Sequence, residues 1–166
     1  ATVYVNGKEV GRHATGYTAF RVEVTDTIRF GEENLISVKL DTTENPATPP
    51  FGGTVDYLTY GGLYREVWLD VREQEYITDL YITTPAVDTA QLVVSAECSK
   101  DCVATAEIID EDGTICLTQT AAIGEKVALT VPNAKSWSCE APNRYICRVT
   151  LSRGQQVLDV QQVKFG

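Results

Sequence analysis

The densest set of chemistry-bearing side chains lies in one stretch, Asp56-Tyr57-Leu58-Thr59-Tyr60-Gly61-Gly62-Leu63-Tyr64-Arg65-Glu66-Val67-Trp68-Leu69. It combines a carboxylate, three tyrosines, two adjacent glycines and an Arg-Glu pair. Aromatic faces stack on sugar rings and a carboxylate accepts hydrogen bonds from hydroxyls, so sugar contact is chemistry this set can perform. A structural role competes over its second half, with Tyr64, Val67 and Leu69 as core residues and Arg65 pairing with a neighbouring acid to pin a strand. For residues 62–69 the structural role is the expectation.

Other candidates carry less. Glycosidic chemistry needs two acids about 5 to 9 Å apart on a rigid scaffold, and no pair of carboxylates stands out from the turns and exposed strand faces that carry them. His13 is the only histidine; this excludes a zinc site built on several histidines, and no nucleophile-elbow motif supports a Ser/His/Asp triad around it. A structural or surface histidine is expected. Asp110-Glu111-Asp112-Gly113 resembles the start of a calcium loop but lacks the later ligands, so it reads as a hairpin turn. The five cysteines (Cys98, Cys102, Cys116, Cys139, Cys147) are odd in number and have no CxxC spacing. Cys98 and Cys102 flank Ser99-Lys100-Asp101 and could be bridged across a turn, or all five could stay reduced; reduced thiols in a cytoplasmic protein are the expectation. No catalytic residue, metal ligand or cofactor is assigned from the residues.

The elements that would position these side chains are strands. Thr2 to Val5, Phe20 to Val24, Leu35 to Leu40 and Val67 to Val71 alternate with period two, and no window of helical length in this first part shows a helical apolar stripe. Asn6-Gly7 is a hairpin signal, because both turn positions need positive φ. From Asp41 to Gly62 three prolines and four glycines predict a long connection rather than a central strand. Seven further strands are expected at 77–83, 91–96, 104–110, 114–118, 126–131, 145–151 and 156–163. Short turns between them give an immunoglobulin-like sandwich. The charged stretch Arg72-Glu73-Gln74-Glu75 predicts a boundary, with domains at residues 1–72 and 73–166.

Length and charge bound the partners. At 166 residues the chain holds one domain or two small ones. Its net charge of −9, −3 in the first domain and −6 in the second, would repel a phosphate backbone, so no nucleic-acid partner is expected. No run approaches the roughly 18 apolar residues of a membrane-spanning helix, so no membrane partner is expected. Ala1-Thr2-Val3-Tyr4-Val5 opens inside a strand-like run and Val163-Lys164-Phe165-Gly166 closes on one. The chain is expected to be a piece of something longer.

Gly61-Gly62-Leu63-Tyr64-Arg65-Glu66-Val67-Trp68-Leu69 resembles the Gly-Gly-Ile/Leu-Tyr-Arg-Asp/Glu-Val-x-Leu signature of glycoside hydrolase family 2, the β-galactosidases, β-glucuronidases and β-mannosidases. Val5-Asn6-Gly7-Lys8, Gly16-Tyr17-Thr18-Ala19-Phe20 and Gly31-Glu32-Glu33-Asn34-Leu35-Ile36-Ser37-Val38 follow the family's order. In the second domain Trp137-Ser138, Pro142 and Tyr145 are similar to its Trp-Ser, Pro, Leu-Tyr passage.

The resemblance implies an all-β chain: a truncated jelly-roll, galactose-binding-like sandwich over residues 1–72, then an immunoglobulin-like sandwich over 73–166. It implies that the catalytic glutamates belong to an absent (β/α)₈ barrel, so that this chain turns nothing over. Asp56 takes the place of a family aspartate that reaches the barrel's site and binds substrate hydroxyls, with Tyr57 beside it. The implied partners are a β-glycoside in the intact enzyme and the barrel itself, and edge strands left without neighbours imply self-association of the fragment. A free-standing carbohydrate-binding or adhesive sandwich module is the alternative.

Overall fold

Asn6 and Gly7 form the turn that their residue types predict. Both have positive φ, 51° and 82°, as a two-residue hairpin with the right twist requires, and they join β1 (Thr2–Val5) to β2 (Lys8–Arg12). The computed structural model describes residues 1–43, 45–48 and 61–166. Two compact units divide the chain, Ala1–Leu69 and Asp70–Gly166. Among the described residues every regular element is a β-strand, and the fold is all-β.

In the first unit β3 (Ile36–Lys39) pairs with the other edge of β1, giving an antiparallel sheet in the order β2-β1-β3. Val3 and Val5 bury one face of the central strand, which is what alternation along a half-covered strand produces. Asn6 does more than turn the chain. Its amide donates to Thr27 O at 3.2 Å and Asn34 Oδ1 at 2.9 Å, and its Oδ1 accepts from Leu35 N at 3.1 Å. Asn34 in turn accepts from Arg29 N at 2.8 Å, so two asparagines tie the segment before β3 to the hairpin.

Phe20 to Val24, expected as a strand, forms no ladder. Val22 instead crosses Gly11 so closely that a Cβ on Gly11 would stand 2.9 Å from Val22 Cγ2, and Val24 O accepts the amides of Thr27 and Ile28 in a turn. Alternation signals a half-buried extended segment; it does not supply the neighbouring strand. Val67 to Val71 departs from expectation in the same way.

All seven strands expected in the second unit are present. They are β4 (Tyr76–Ala86), β5 (Thr89–Glu97), β6 (Val103–Ile109), β7 (Ile115–Ala121), β8 (Lys126–Thr130), β9 (Tyr145–Arg153) and β10 (Gln156–Phe165). They form two antiparallel sheets, β4-β5-β8 and β10-β9-β6-β7, the arrangement of an immunoglobulin-like sandwich. Strict alternation in β5, β6 and β9 sends Leu92, Val94, Ile108, Cys147, Val149 and Leu151 into a shared core in which none of them exposes surface. Full burial of a side chain of this size stabilises by about 1.5 to 3 kcal/mol.

Polar contacts finish the unit. Asp110 Oδ1 accepts from Asp112 N and Thr114 N at 3.0 and 2.8 Å, closing the β6–β7 hairpin as its Glu-Asp-Gly sequence predicts. Ile77 N donates to Asp159 Oδ2 at 2.9 Å, and Arg72 Nη1 donates to Ile77 O at 2.8 Å. Tyr145 packs its ring 5.8 Å from Phe165 while its hydroxyl accepts from Lys135 N at 2.8 Å, giving both ends of an amphipathic side chain a partner.

Candidate functional site

Asp56 and Tyr57, the two residues expected to meet substrate, lie outside the described residues, as do Phe51 and Tyr60. The structure shows the base of the connection that carries them. On its first side Asp41 Oδ1 accepts from Thr43 N at 3.0 Å. Hydrogen bonds from the Thr43 backbone and side chain hold the Asp41 carboxyl below the usual range. Asn45 then accepts from Ala47 N through its side chain at 2.9 Å and from Thr48 N through its carbonyl at 3.0 Å, an Asx-type turn.

On the other side the chain returns at Gly61. A Cβ there would stand 3.1 Å from Thr42 Cγ2, closer than an ordinary carbon contact, and Gly62 follows at φ 110°. The two glycines therefore have separate uses: the first allows the close approach to Thr42, the second a backbone conformation that other residues rarely adopt. Gly61 thus stands beside Thr42 although 18 residues of sequence separate them.

Beyond Gly62 the expectation of a buried strand fails. Val67 is 71% exposed and Trp68 66%, and Leu63, Tyr64 and Leu69 are also exposed. No ladder forms here among the described residues, so neither face is covered. Arg65 makes no ion pair among the described residues; its guanidinium carbon stands 5.9 Å from the centre of the Tyr64 ring. A strand-like sequence reports that a partner is needed, not that the same chain provides it.

Each described carboxyl with a clear shift is shifted down: Glu9 by Arg12, Glu23 by Thr25, Asp41 by Thr43, and Glu75 and Asp101 each by Ser99. His13 makes local contacts: its Nε2 meets Thr15 Oγ1 at 2.7 Å and Thr18 Oγ1 at 2.8 Å, and its ring stacks on Phe20 at 4.6 Å.

One polar cluster escaped the sequence reading. In the second unit Arg153 pairs with Glu75 and, at 3.1 Å, with Asp101; it also donates to Ser99 Oγ at 2.6 Å. These residues come from the approach to β4, the β5–β6 turn and the end of β9, so only the sheet topology brings them together. No spacing in the sequence signals them.

The sequence of residues 75–166 matches the description of glycosyl hydrolases family 2. The chain belongs to that family. A β-galactosidase of Thermoanaerobacter pseudethanolicus is 32% identical over all of this chain and 24% of its own length. A β-glucuronidase of Bacteroides fragilis is 32% identical over 98% of this chain and 26% of its own length. Among solved structures, a Bacteroides uniformis β-glucuronidase superposes with a TM-score of 0.84 at 28% identity, covering 99% of this chain and 22% of that one. The family 2 chain thus spans about a quarter of the length of the relatives it matches.

Proposed function

We propose that this chain is a non-catalytic part of a family 2 glycoside hydrolase of β-galactosidase type. In this reading residues 1–72 form part of a jelly-roll sugar-binding domain, and their long loop presents Asp56, with Tyr57 beside it, to a β-glycoside held in a (β/α)₈ barrel elsewhere in the protein. The observation that carries the reading is the contact at the base of the loop: Gly61, the first residue of the Gly-Gly-Leu-Tyr-Arg-Glu run, stands against Thr42. A loop clamped at its ends can hold a carboxylate out from the sheet at a defined place, and binding residues are often carried this way.

A further observation supports it. Five large apolar side chains, Leu63, Tyr64, Val67, Trp68 and Leu69, face water within one segment, as a surface that other parts of a larger protein cover would do.

The chemistry assigned to the chain is recognition. Ionised Asp56 accepts hydrogen bonds from sugar hydroxyls, fixing the ring against a bond that other residues break. Each charge-assisted bond is worth about 1.5 to 3 kcal/mol. The test is turnover by this chain alone with nitrophenyl β-galactoside and β-glucuronide. No hydrolysis is expected. Activity that survives repurification and disappears on mutation of a residue of this chain would overturn the reading.

A further inference from the structure

Cys98 and Cys102 stand on either side of a tight turn, closed by Cys102 N donating to Ser99 O at 3.2 Å, that carries the chain from β5 in one sheet to β6 in the other. Both are free and only partly buried. An open cleft of about 460 Å³ is lined by both thiol-bearing residues together with Ser99, Lys100 and Ile123. Cys102 Sγ lies 3.5 Å from Ser99 Oγ, 3.8 Å from Glu75 Oε1 and 3.9 Å from Arg153 Nη2. From this geometry we infer that Cys98 and Cys102 are a redox-active dithiol, a modification site at which a low-molecular-weight disulfide entering the cleft is reduced and the turn is closed by a Cys98–Cys102 bridge.

The two thiols have different roles. Cys98 is held in its protonated form by burial, and secondarily by the neighbouring Cys102. Cys102 faces the polar side, with Glu75 Oε1 3.8 Å and Arg153 Nη2 3.9 Å from its sulfur. Thiolate is the attacking species, so Cys102 leads and Cys98 resolves.

In the first step the Cys102 thiolate attacks one sulfur of the disulfide RSSR. The S–S bond breaks, a Cys102–SR mixed disulfide forms, and RS⁻ leaves to take up the proton that Cys102 released. In the second step Cys98 loses its proton to solvent and attacks the Cys102 sulfur, expelling the second RS⁻, which is protonated in turn. Two thiols and RSSR become a protein disulfide and two RSH, so two electrons pass from protein to reagent. Exposed bridges of this sort are the readily reduced ones, and a thiol such as RSH reverses the sequence.

Other cysteines serve as internal controls, since Cys147 is buried and Cys139 is exposed. The experiment equilibrates the folded chain with oxidised and reduced glutathione at several ratios, quenches it with acid, and maps the thiols by peptide mass spectrometry. The expected result is loss of two hydrogens from the peptide holding Cys98 and Cys102, fully reversed by dithiothreitol, while Cys139 gains a glutathione adduct. Cys98→Ser is expected to accumulate the mixed disulfide at Cys102, and Cys102→Ser to slow modification of Cys98 at least tenfold. Separate glutathione adducts on both cysteines with no bridge, or no reaction at either while Cys139 is modified, would overturn the assignment.

Discussion

Glu75 and Arg153 form an ion pair across 78 residues of sequence, joining the approach to β4 to the end of β9. Ser99 N donates to the same Glu75 carboxylate at 2.8 Å, so one acid fastens the β5–β6 turn to both. Hydrogen bonds from Ser99, then the Arg153 charge, hold the Glu75 carboxyl below its ordinary range.

A lowered pKa in the folded state means that the unfolded chain takes up its proton first as pH falls. The stabilisation from Glu75 is therefore fully present above the unfolded value, near pH 4.3, and is lost as pH drops through the folded value. Asp101 adds to the same trend. Urea midpoints of the second unit measured from neutral to acid pH are expected to fall below about pH 4.3, and Glu75→Gln is expected to flatten that fall and to lower the midpoint at neutral pH. An unchanged acid profile in the variant would show that the pair is incidental.

Cys147 titrates in the opposite sense. Burial in the sandwich core pushes its thiol up to about 11, so between the ordinary thiol value near 8.5 and that point the folded state keeps a proton that the unfolded chain has released. Its contribution to stability is complete below the lower value and declines as pH rises. Cys147 is expected to resist alkylation until the second unit unfolds globally, while Cys139 reacts at once. Labelling of Cys147 at the rate of Cys139 would contradict its place in the core.

Asn6 joins the hairpin turn to the segment before β3. It holds a left-handed backbone conformation and three side-chain hydrogen bonds, to Thr27 O, Asn34 Oδ1 and Leu35 N. Asn6→Gly keeps the turn and loses the bonds, whereas Asn6→Ala loses both. Asn6→Gly is expected to cost about 1 to 3 kcal/mol and Asn6→Ala more. Equal stability of Asn6→Gly and the parent, read by chemical denaturation, would show the network to be dispensable.

These cases also show where sequence was sufficient. In the second unit the alternation in β5, β6 and β9 and the turn chemistry at Asp110–Gly113 name the strands because every strand finds its neighbours within the chain. Asn6-Gly7 was legible for a local reason, since its conformation depends on two residues. Tyr64, Val67 and Leu69 misled because alternation records burial in a complete partner surface, and these side chains are exposed here. The close approach of Gly61 to Thr42 is invisible in sequence: a paired glycine announces unusual backbone, but not which distant side chain it must admit. The Glu75–Arg153 cluster, assembled by topology alone, was illegible for the same reason.

Gly61 offers a test of the loop base that does not touch the proposed ligand. Gly61→Val would drive side-chain carbons into Thr42 and displace the loop's return. In a protein that carries the catalytic barrel it is expected to raise KM for β-galactoside several-fold, whereas Gly61→Ala combined with Thr42→Ser, which removes the Cγ2 that a Cβ would meet, is expected to stay near the parent. No change in KM for Gly61→Val would separate the loop base from substrate binding.

The most direct measurement is kcat/KM for Asp56→Asn in the protein that includes the barrel, together with its unfolding midpoint. Asparagine keeps the shape and removes the charge, so one or two charge-assisted hydrogen bonds to sugar hydroxyls weaken. The expected result is a fall in kcat/KM of roughly ten- to a hundredfold, about 1.4 kcal/mol for each factor of ten, with the midpoint unchanged. Parent-like kcat/KM, or a loss of stability with catalysis spared, would contradict the account and leave Asp56 as a residue that shapes its own loop.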